Sequence, residues 1–410
     1  MAQGKLTRRQ FLRSALASAT GALAASTYAR AQGANEKIHI GVIGCGGRGT
    51  YLARQVYQFA KQENVEITAV CDVWRKNLEA MARRVKQWWG REPRQFQRFA
   101  ELLALEDIDA VIIATPDFAH SPILAAALRA GKDAYVEKPM ASRLEDANDA
   151  LAAWEEKKDR VVQVGTQRRS DGRHAAAAKL IQSGILGKIS KCESSWNDCN
   201  PRWHRGAQGV FKEDVDWEQF LMYLPKRPWD AKRFRMWHLY KDYTVGTPGL
   251  LGAHTIDLIH WYMDDPLPKN CVANGGIYVW KEDREHADTV CALYEYPKGF
   301  LAQYETRLGN SYHIAEAVFY GTRGMFDTSS WKARGTGGGK DKLKEEVAVK
   351  PLPSVNHMLN FLQCLRSRKQ PNATIQMGYA HSIASIMAFR ALETGERQVF
   401  DPEKREIRPG

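Results

Sequence analysis

Beyond its N-terminus the 410-residue chain has no continuous apolar run of about 18 residues, so nothing in its body asks for a membrane. Its seven cysteines, at positions 45, 71, 192, 199, 271, 291 and 364, are odd in number and form no tight metal-ligand cluster, which argues against a disulfide framework. Cys45 and Cys71 fall in strand and loop positions where a small buried thiol is the expected reading, and spacing alone does not decide whether Cys192 and Cys199 pair. There is no H-E-x-x-H motif. A metal site would have to be assembled from His204, His238, His254 and Asp257, and no spacing requires one, so no metal is expected. The glycines between Gly335 and Gly339 lack the lysine-serine sequel of a phosphate-binding loop, since Lys340 is followed by Asp341, and read as a surface loop. A basic stripe is missing too. Lys5, Arg8, Arg9, Arg13 and Arg30 all precede the first acid, Glu36, and removing these five cations from the formal +12 leaves +7 spread among acids. That balance favours anionic substrates or surfaces without supporting nucleic-acid binding.

What is there is a globular composition, 44% hydrophobic and 26% charged, over a length that suits two domains. Thr7, Arg8, Arg9, Gln10, Phe11, Leu12 and Arg13 precede a mildly apolar stretch rich in Ala, Ser, Thr and Gly, followed by Ala29, Arg30 and Ala31. This order is similar to a twin-arginine signal with cleavage after Ala31, which predicts passage through the twin-arginine machinery and a periplasmic or otherwise exported, already folded protein. An ordinary basic N-terminal arm is the alternative.

Residues 38–43, IHIGVI, form a β-branched run that ends in Gly44, Cys45, Gly46, Gly47, Arg48 and Gly49, and a helical pattern starts at once. Strand, tight glycine loop and helix N-terminus together are suited to a dinucleotide diphosphate. Gly44 permits the turn, Gly46 lets the backbone approach the diphosphate, and Gly49 allows close packing. A second strand ends at Asp72, 23 residues after Gly49, where a carboxylate accepts hydrogen bonds from ribose hydroxyls and repels a 2′-phosphate, favouring NAD over NADP despite nearby Arg75. Such a cofactor should be scarce outside the inner membrane, so one retained through turnover is expected. A short third strand is expected at 94–99 and a short helix at 101–107. The apolar strand 109–114 stops at Thr115 and Pro116, ahead of Asp117, Phe118, Ala119 and His120 and an Ala-rich helix over 121–130. The strand at 134–136 runs into Glu137, Lys138 and Pro139, and another helix and strand lead to Gln167, Arg168 and Arg169. Loops that follow strand C-termini line the ligand crevice of such sheets, which places 115–120 and 137–139 near the nicotinamide end.

Together GCGGRG, ATPDFAH, VEKP about 22 residues beyond ATP, QVGTQRR and GAHTIDL resemble the glucose–fructose oxidoreductase, inositol dehydrogenase and MocA (Gfo/Idh/MocA) superfamily across residues 36–393. The resemblance implies an α/β protein: an N-terminal Rossmann domain plus a C-terminal α/β domain with a large, predominantly antiparallel open sheet. The expected boundaries are 1–35 for the signal and linker, 36–165 for the Rossmann domain, 166–393 for substrate binding and oligomerisation, and 394–410 for a tail. Strand-like runs near 188–197, 271–280, 287–296, 299–308, 313–320 and 324–328, with helices at 355–368 and 376–393, are compatible with it. A homodimer or homotetramer is expected.

The cofactor-binding candidates are residues 44–49 (Gly44, Cys45, Gly46, Gly47, Arg48 and Gly49) with Asp72, Thr115, Pro116, His120, Glu137, Lys138 and Gln167. By resemblance Lys138 reaches the reacting hydroxyl, where an ammonium stabilises developing alkoxide charge, and His254 accepts the hydroxyl proton. Asp257, three residues on, orients substrate or serves structure. One departure matters: the inositol dehydrogenase pattern has an aspartate four residues before that histidine, where this chain has Leu250, leaving Asp242, Tyr243 or His238 as substitutes. Aromatic and charged residues crowd 196–243, and Arg168, Trp203, His204, Arg235, Trp237, His238 and Tyr243 are candidates to join His254 against a carbohydrate or glycoside; a rim gripping a neighbouring subunit is the alternative. Three functions stay open: NAD-dependent oxidation or reduction of a secondary hydroxyl of a sugar, glycoside or cyclic polyol; glycoside cleavage by transient oxidation, elimination, hydration and re-reduction; and non-catalytic nucleotide or sugar binding.

Overall fold

The computed structural model describes residues 36–199, 206–312 and 315–410. The expected signal segment, residues 1–35, and the substrate candidates Trp203 and His204 lie outside the described residues.

The first layer is a sheet of six parallel strands, β1 (Ile38–Ile43), β2 (Val65–Cys71), β3 (Arg94–Phe96), β4 (Ala110–Ile113), β5 (Asp133–Val136) and β6 (Val162–Val164), in the order β3-β2-β1-β4-β5-β6. The central strands are apolar along their whole length because helices cover both faces: all four residues of β4 and all four of β5 are buried. The covering helices are α1 (Gly47–Glu63), α2 (Arg75–Trp89), α3 (Phe99–Leu103), α4 (Asp117–Arg129) and α5 (Leu144–Glu156). The strand order reverses direction between β1 and β4. A ligand crevice forms there because the loops leaving the two strands part to opposite sides. α4 begins at Asp117, so the segment 117–120, expected as loop, is the first turn of a helix with Pro116 as its N-cap. The helix starts early because Phe118 finds an apolar seat against Phe220 and Tyr243 of the second domain.

After α6 (Gly172–Gln182) comes β7 (Ile189–Ser195), which opens a ten-stranded sheet with β8 (Asn270–Gly276), β9 (Thr289–Tyr296), β10 (Phe300–Arg307), β11 (Ala317–Gly321), β12 (Met325–Asp327), β13 (Lys332–Arg334), β14 (Val347–Ala348), β15 (Gln398–Asp401) and β16 (Glu406–Pro409). The order is β14-β13-β12-β11-β7-β10-β9-β8-β15-β16; every pairing is antiparallel except β7 with β10. Burial alternates along β9 and β10, so one face is core and the other is open. Between β7 and β8 in the chain come α7 (Trp217–Leu221), α8 (Ala231–Arg235), α9 (Thr247–Leu250) and α10 (Gly252–Met263); α11 (His357–Ser367) and α12 (Ile375–Thr394) come after β14.

Two boundaries differ from expectation. Residues 398–409, read from the sequence as tail, form the β15–β16 hairpin that extends the sheet edge beyond β8. α11, expected in the second domain, packs on the Rossmann layer instead: Met358, Phe361, Leu362 and Leu365 join the cluster containing Ile38, Ile40, Leu52 and Val56. Each such side chain contributes roughly 1.5–3 kcal/mol on full burial, enough to fix the helix there. The long helix α12 is a clamp between layers. Its His381 Nε2 accepts the Met140 N–H at 3.2 Å and its Ser382 hydroxyl accepts that of Ala141 at 3.0 Å, which holds the chain just beyond Lys138.

All seven cysteines are free thiols, so Cys192, buried in β7, and the exposed Cys199 are unpaired. Among the described residues no helix is long and apolar enough to cross a membrane.

Candidate active site

The glycine loop after β1 is shaped by close backbone contact. Gly44 has φ +93°, and a Cβ there would lie 2.6 Å from the Ala114 carbonyl; a Cβ on Gly49 would lie 1.8 Å from the Gly44 oxygen. Neither position tolerates a side chain. By contrast, a Cβ at Gly47 would meet nothing and one at Gly46 only the Asn77 amide at 3.7 Å, which leaves bare backbone facing open space. The N-terminus of α1 has no capping side chain and no acid in its first turn, so its partial positive charge is presented outward. Asp72 ties the loop to the end of β2 by accepting the N–H groups of Cys45 at 2.7 Å and Trp74 at 2.8 Å. Burial pushes its carboxyl up to about 6, against the lowering by those N–H groups and Asn77.

Arg48 leaves this loop and donates to Glu137 Oε1 at 2.6 Å, which links the glycine turn to the loop after β5. A Cβ on Gly165 would lie 2.9 Å from the Glu137 carboxylate, so β6 delivers a glycine where that acid must pass. Next to it Lys138, whose peptide bond to Pro139 is cis, sends Nζ to the Leu250 carbonyl at 2.6 Å. The approach of α9 is possible because residue 249 is glycine; a Cβ there would press on Pro139 at 3.1 Å and on Val245 at 2.6 Å. His120 braces the opposite side, with Nδ1 at 2.8 Å from the Pro139 oxygen and Nε2 at 2.8 Å from that of Thr115; burial pushes its pKa down.

These loops enclose a cavity of about 450 Å³, within the range of small-molecule sites. Arg48, Thr115, His120, Glu137, Lys138 and Gln167 line its Rossmann side together with Ala114 and Asp117; Arg235, Trp237, His238 and His254 face them with Trp196, Leu250 and Leu251. Trp196 stacks on His254 with ring centroids 5.3 Å apart, and the Arg168 guanidinium covers the indole's ring at 4.7 Å. His254 is nearly buried, and burial, then Lys138 and Arg168, push its pKa well below the ordinary value, so the ring is neutral at neutral pH. Its Nδ1 and the Thr115 hydroxyl are buried without a hydrogen-bond partner among the described residues, as expected of atoms built to meet something.

Several candidates are placed elsewhere. Asp257 does not face the cavity: its carboxylate, 1% exposed, is gripped by Arg169 Nε at 2.8 Å and Nη2 at 2.9 Å, forming a buried ion pair under Trp261. Tyr243 is fully buried between Phe118 and Phe220. Arg168 stands behind Trp196, paired with Glu316 at 2.7 Å, and Pro116 caps α4. Asp242, a suggested substitute at the Leu250 position, is held by Arg227 at 2.6 Å. Sequence reasoning missed Asp117 and Trp196 as wall residues. Asp117 stands right after a strand-ending Thr-Pro, which was the available signal; Trp196 stood inside a flagged aromatic stretch without being singled out. No group of three or more metal-ligating side chains occurs among the described residues.

Residues 38–166 match the family model described as "Oxidoreductase family, NAD-binding Rossmann fold", and residues 221–327 match the GFO/IDH/MocA C-terminal domain. The chain belongs to the Gfo/Idh/MocA family. This NAD-binding family member is 31% identical over 176 residues to an inositol 2-dehydrogenase of Rubrobacter xylanophilus, covering 43% of this chain and 46% of that one. It is 32% identical over 166 residues to a glycosyl hydrolase family 109 protein of a Shewanella species, covering 35% and 36%. The match thus spans less than half the length of these relatives. Among solved structures, the WlbA dehydrogenase from Bordetella pertussis in complex with NADH and UDP-GlcNAcA superposes with a TM-score of 0.65 at 20% identity, covering 89% of this chain and 99% of that one. The aldose-aldose oxidoreductase from Caulobacter crescentus gives 0.66 at 17%, covering 89% and 100%. At such identity these two report the fold. The bare Gly46–Gly47 backbone, the uncapped α1 terminus and the unpartnered Thr115 hydroxyl fit a dinucleotide laid from the glycine loop toward the cavity.

Proposed function

We propose that this Gfo/Idh/MocA protein oxidises and reduces a secondary hydroxyl carbon of a sugar, glycoside or cyclic polyol with a retained NAD. The observation that carries the reading is the convergence of Lys138 and neutral His254 on one cavity that opens from the glycine loop. When bound, NAD supplies the two-electron acceptor and donor for the carbinol carbon. Residues 44–49 hold its diphosphate, and Asp72 receives the ribose hydroxyls. Lys138 meets the hydroxyl oxygen and stabilises negative charge as it develops there, because an ammonium fixed by the Leu250 carbonyl needs no reorganisation. His254, uncharged and with a vacant ring nitrogen, takes the hydroxyl proton. Trp237 offers a flat apolar face to the C–H groups of a pyranose or cyclitol ring, while Arg235, His238 and Gln167 supply hydroxyl partners.

A second reading, glycoside cleavage by oxidation, elimination, hydration and re-reduction, is favoured by the likeness to the family 109 protein. One experiment serves both. The nucleotide released on denaturation is identified by mass, and intact protein is then mixed with free sugars, cyclitols, aryl glycosides and 3-keto glycosides while absorbance at 340 nm and aglycone are followed. Reduction of the bound nucleotide by a polyol or sugar is expected; aglycone release without net reduction selects cleavage. Protein with confirmed nucleotide that gives neither signal contradicts the proposal. The twin-arginine-like residues 7–13 support export of the folded, loaded protein, testable by whether Arg8→Lys with Arg9→Lys leaves the chain inside the inner membrane.

A further inference from the structure

Among the described residues two carboxylates line the cavity, and they are not equivalent. Glu137 is committed to Arg48, in a 2.6 Å ion pair that fixes the loop. Asp117 forms no ion pair of that kind with another described residue. It stands at the first position of α4, 3% exposed, and lines the same cavity as Lys138 and His254. The Thr244 hydroxyl donates to its Oδ2 at 2.8 Å, and that hydroxyl in turn accepts the Gly246 N–H at 3.1 Å, so the carboxylate's orientation is set from the second domain. Leu250, across the cavity, contributes only a carbonyl.

We propose that Asp117 is the positioning residue for Lys138: its carboxylate shares the cavity with the ammonium and sets how firmly that ammonium keeps its proton. The inference rests on the reading of Lys138 as the group that meets the reacting hydroxyl. Burial pushes the Asp117 carboxyl up to about 7, Lys138 and the Thr244 hydroxyl pull it down, and Glu137 pushes it up. The titratable and charged groups that line the cavity with it are Glu137 and Lys138 from the β5 loop, Arg48 from the glycine loop, Arg235, His238 and His254 from the second domain and His120 on its own helix, while Thr244 from the segment before α9 bonds it directly. A carboxyl poised near neutrality in the same cavity as an ammonium gives the site two protonation states within the working range, one in which Lys138 is balanced and one in which it is the stronger acid. Thr244 selects between them by donating to the ionised form.

The test needs no substrate, so it stands or falls separately from the proposed reaction. Protein labelled with [6-13C]lysine is titrated by NMR, with the Lys138 signal assigned by its loss in Lys138→Arg. Asp117→Asn, an isosteric change, is expected to lower the Lys138 midpoint by about one pH unit, a tenfold loss of proton affinity. The reciprocal measurement uses 13C-carboxyl-labelled aspartate: Lys138→Met should raise the Asp117 midpoint by a comparable amount, because coupling between two sites is mutual. It also keeps the inference open to refutation if Asp117→Asn folds poorly. Midpoints that stay within a few tenths of a unit when the opposite charge is removed would overturn the proposal.

Discussion

The two walls of the cavity are built in opposite ways. The Rossmann wall comes from short contiguous segments, residues 44–49, 114–120 and 137–139, each lying just beyond a strand whose buried neighbours fix its end. The facing wall is gathered from Trp196, Arg235–His238 and Leu250–His254, stretches separated by 39 and 12 positions in sequence and held together by aromatic packing and by α12. A further contrast sits within one helix. His254 and Asp257 are three residues apart on α10, about 60° around its axis, yet one faces the cavity and the other is consumed by Arg169.

This contrast makes graded predictions. Gly49→Ala should do most damage, since its Cβ would overlap the Gly44 oxygen at 1.8 Å; a loss of at least about 4 kcal/mol in stability, or failure to fold, is expected by denaturant melt, together with loss of bound nucleotide. Lys138→Ala should keep NAD, measured by calorimetric titration, while turnover falls by roughly 10²–10³ or more, and retained turnover would remove Lys138 from its assigned role. Asp257→Asn is the mirror case. Breaking a buried pair costs about 3–5 kcal/mol, read as a lower melting midpoint, while reduction of bound nucleotide per folded molecule persists; loss of that reduction in a stable protein would return Asp257 to the active site. Trp196→Ala should lower turnover by about tenfold and Trp196→Phe by less, because what is lost is the ring on which His254 is stacked.

The smallest effect is in pH. Asp117 has a folded pKa raised to about 7 from an ordinary 3.8, so its contribution to stability is fully present below about pH 3.8 and is lost as pH rises through 7. Asp117→Asn should therefore gain stability relative to the parent protein between pH 5 and pH 8, by more than about 1 kcal/mol, in paired chemical melts. A stability difference that does not vary with pH would mean that the carboxyl is not held in its neutral form.

The glycine loop and the Glu-Lys-Pro turn were legible because their chemistry and their local geometry lie within a few consecutive residues. Placement of Asp257, Tyr243 and Arg168 was not, since each is decided by a partner distant in sequence: Arg169 for the first, Phe118 and Phe220 for the second, Glu316 for the third. The β15–β16 hairpin escaped for a related reason. QVFD and EIRP are short and polar, and they become strands only because the edge of β8 offers backbone partners. α11 was visible as a helix, but its apolar face could be assigned only once α1 was in place beside it.

The central claim is spatial: NAD seated on the bare backbone of Gly46 and Gly47 must carry its reactive ring to Lys138. A crystal structure of the protein with NAD and a polyol inhibitor tests this directly. The account predicts the nicotinamide C4 within about 5 Å of the space between Lys138 Nζ and His254, close to reacting distance. A nicotinamide turned out of the cavity walled by Trp196 and Trp237, away from Lys138 and His254, would contradict it.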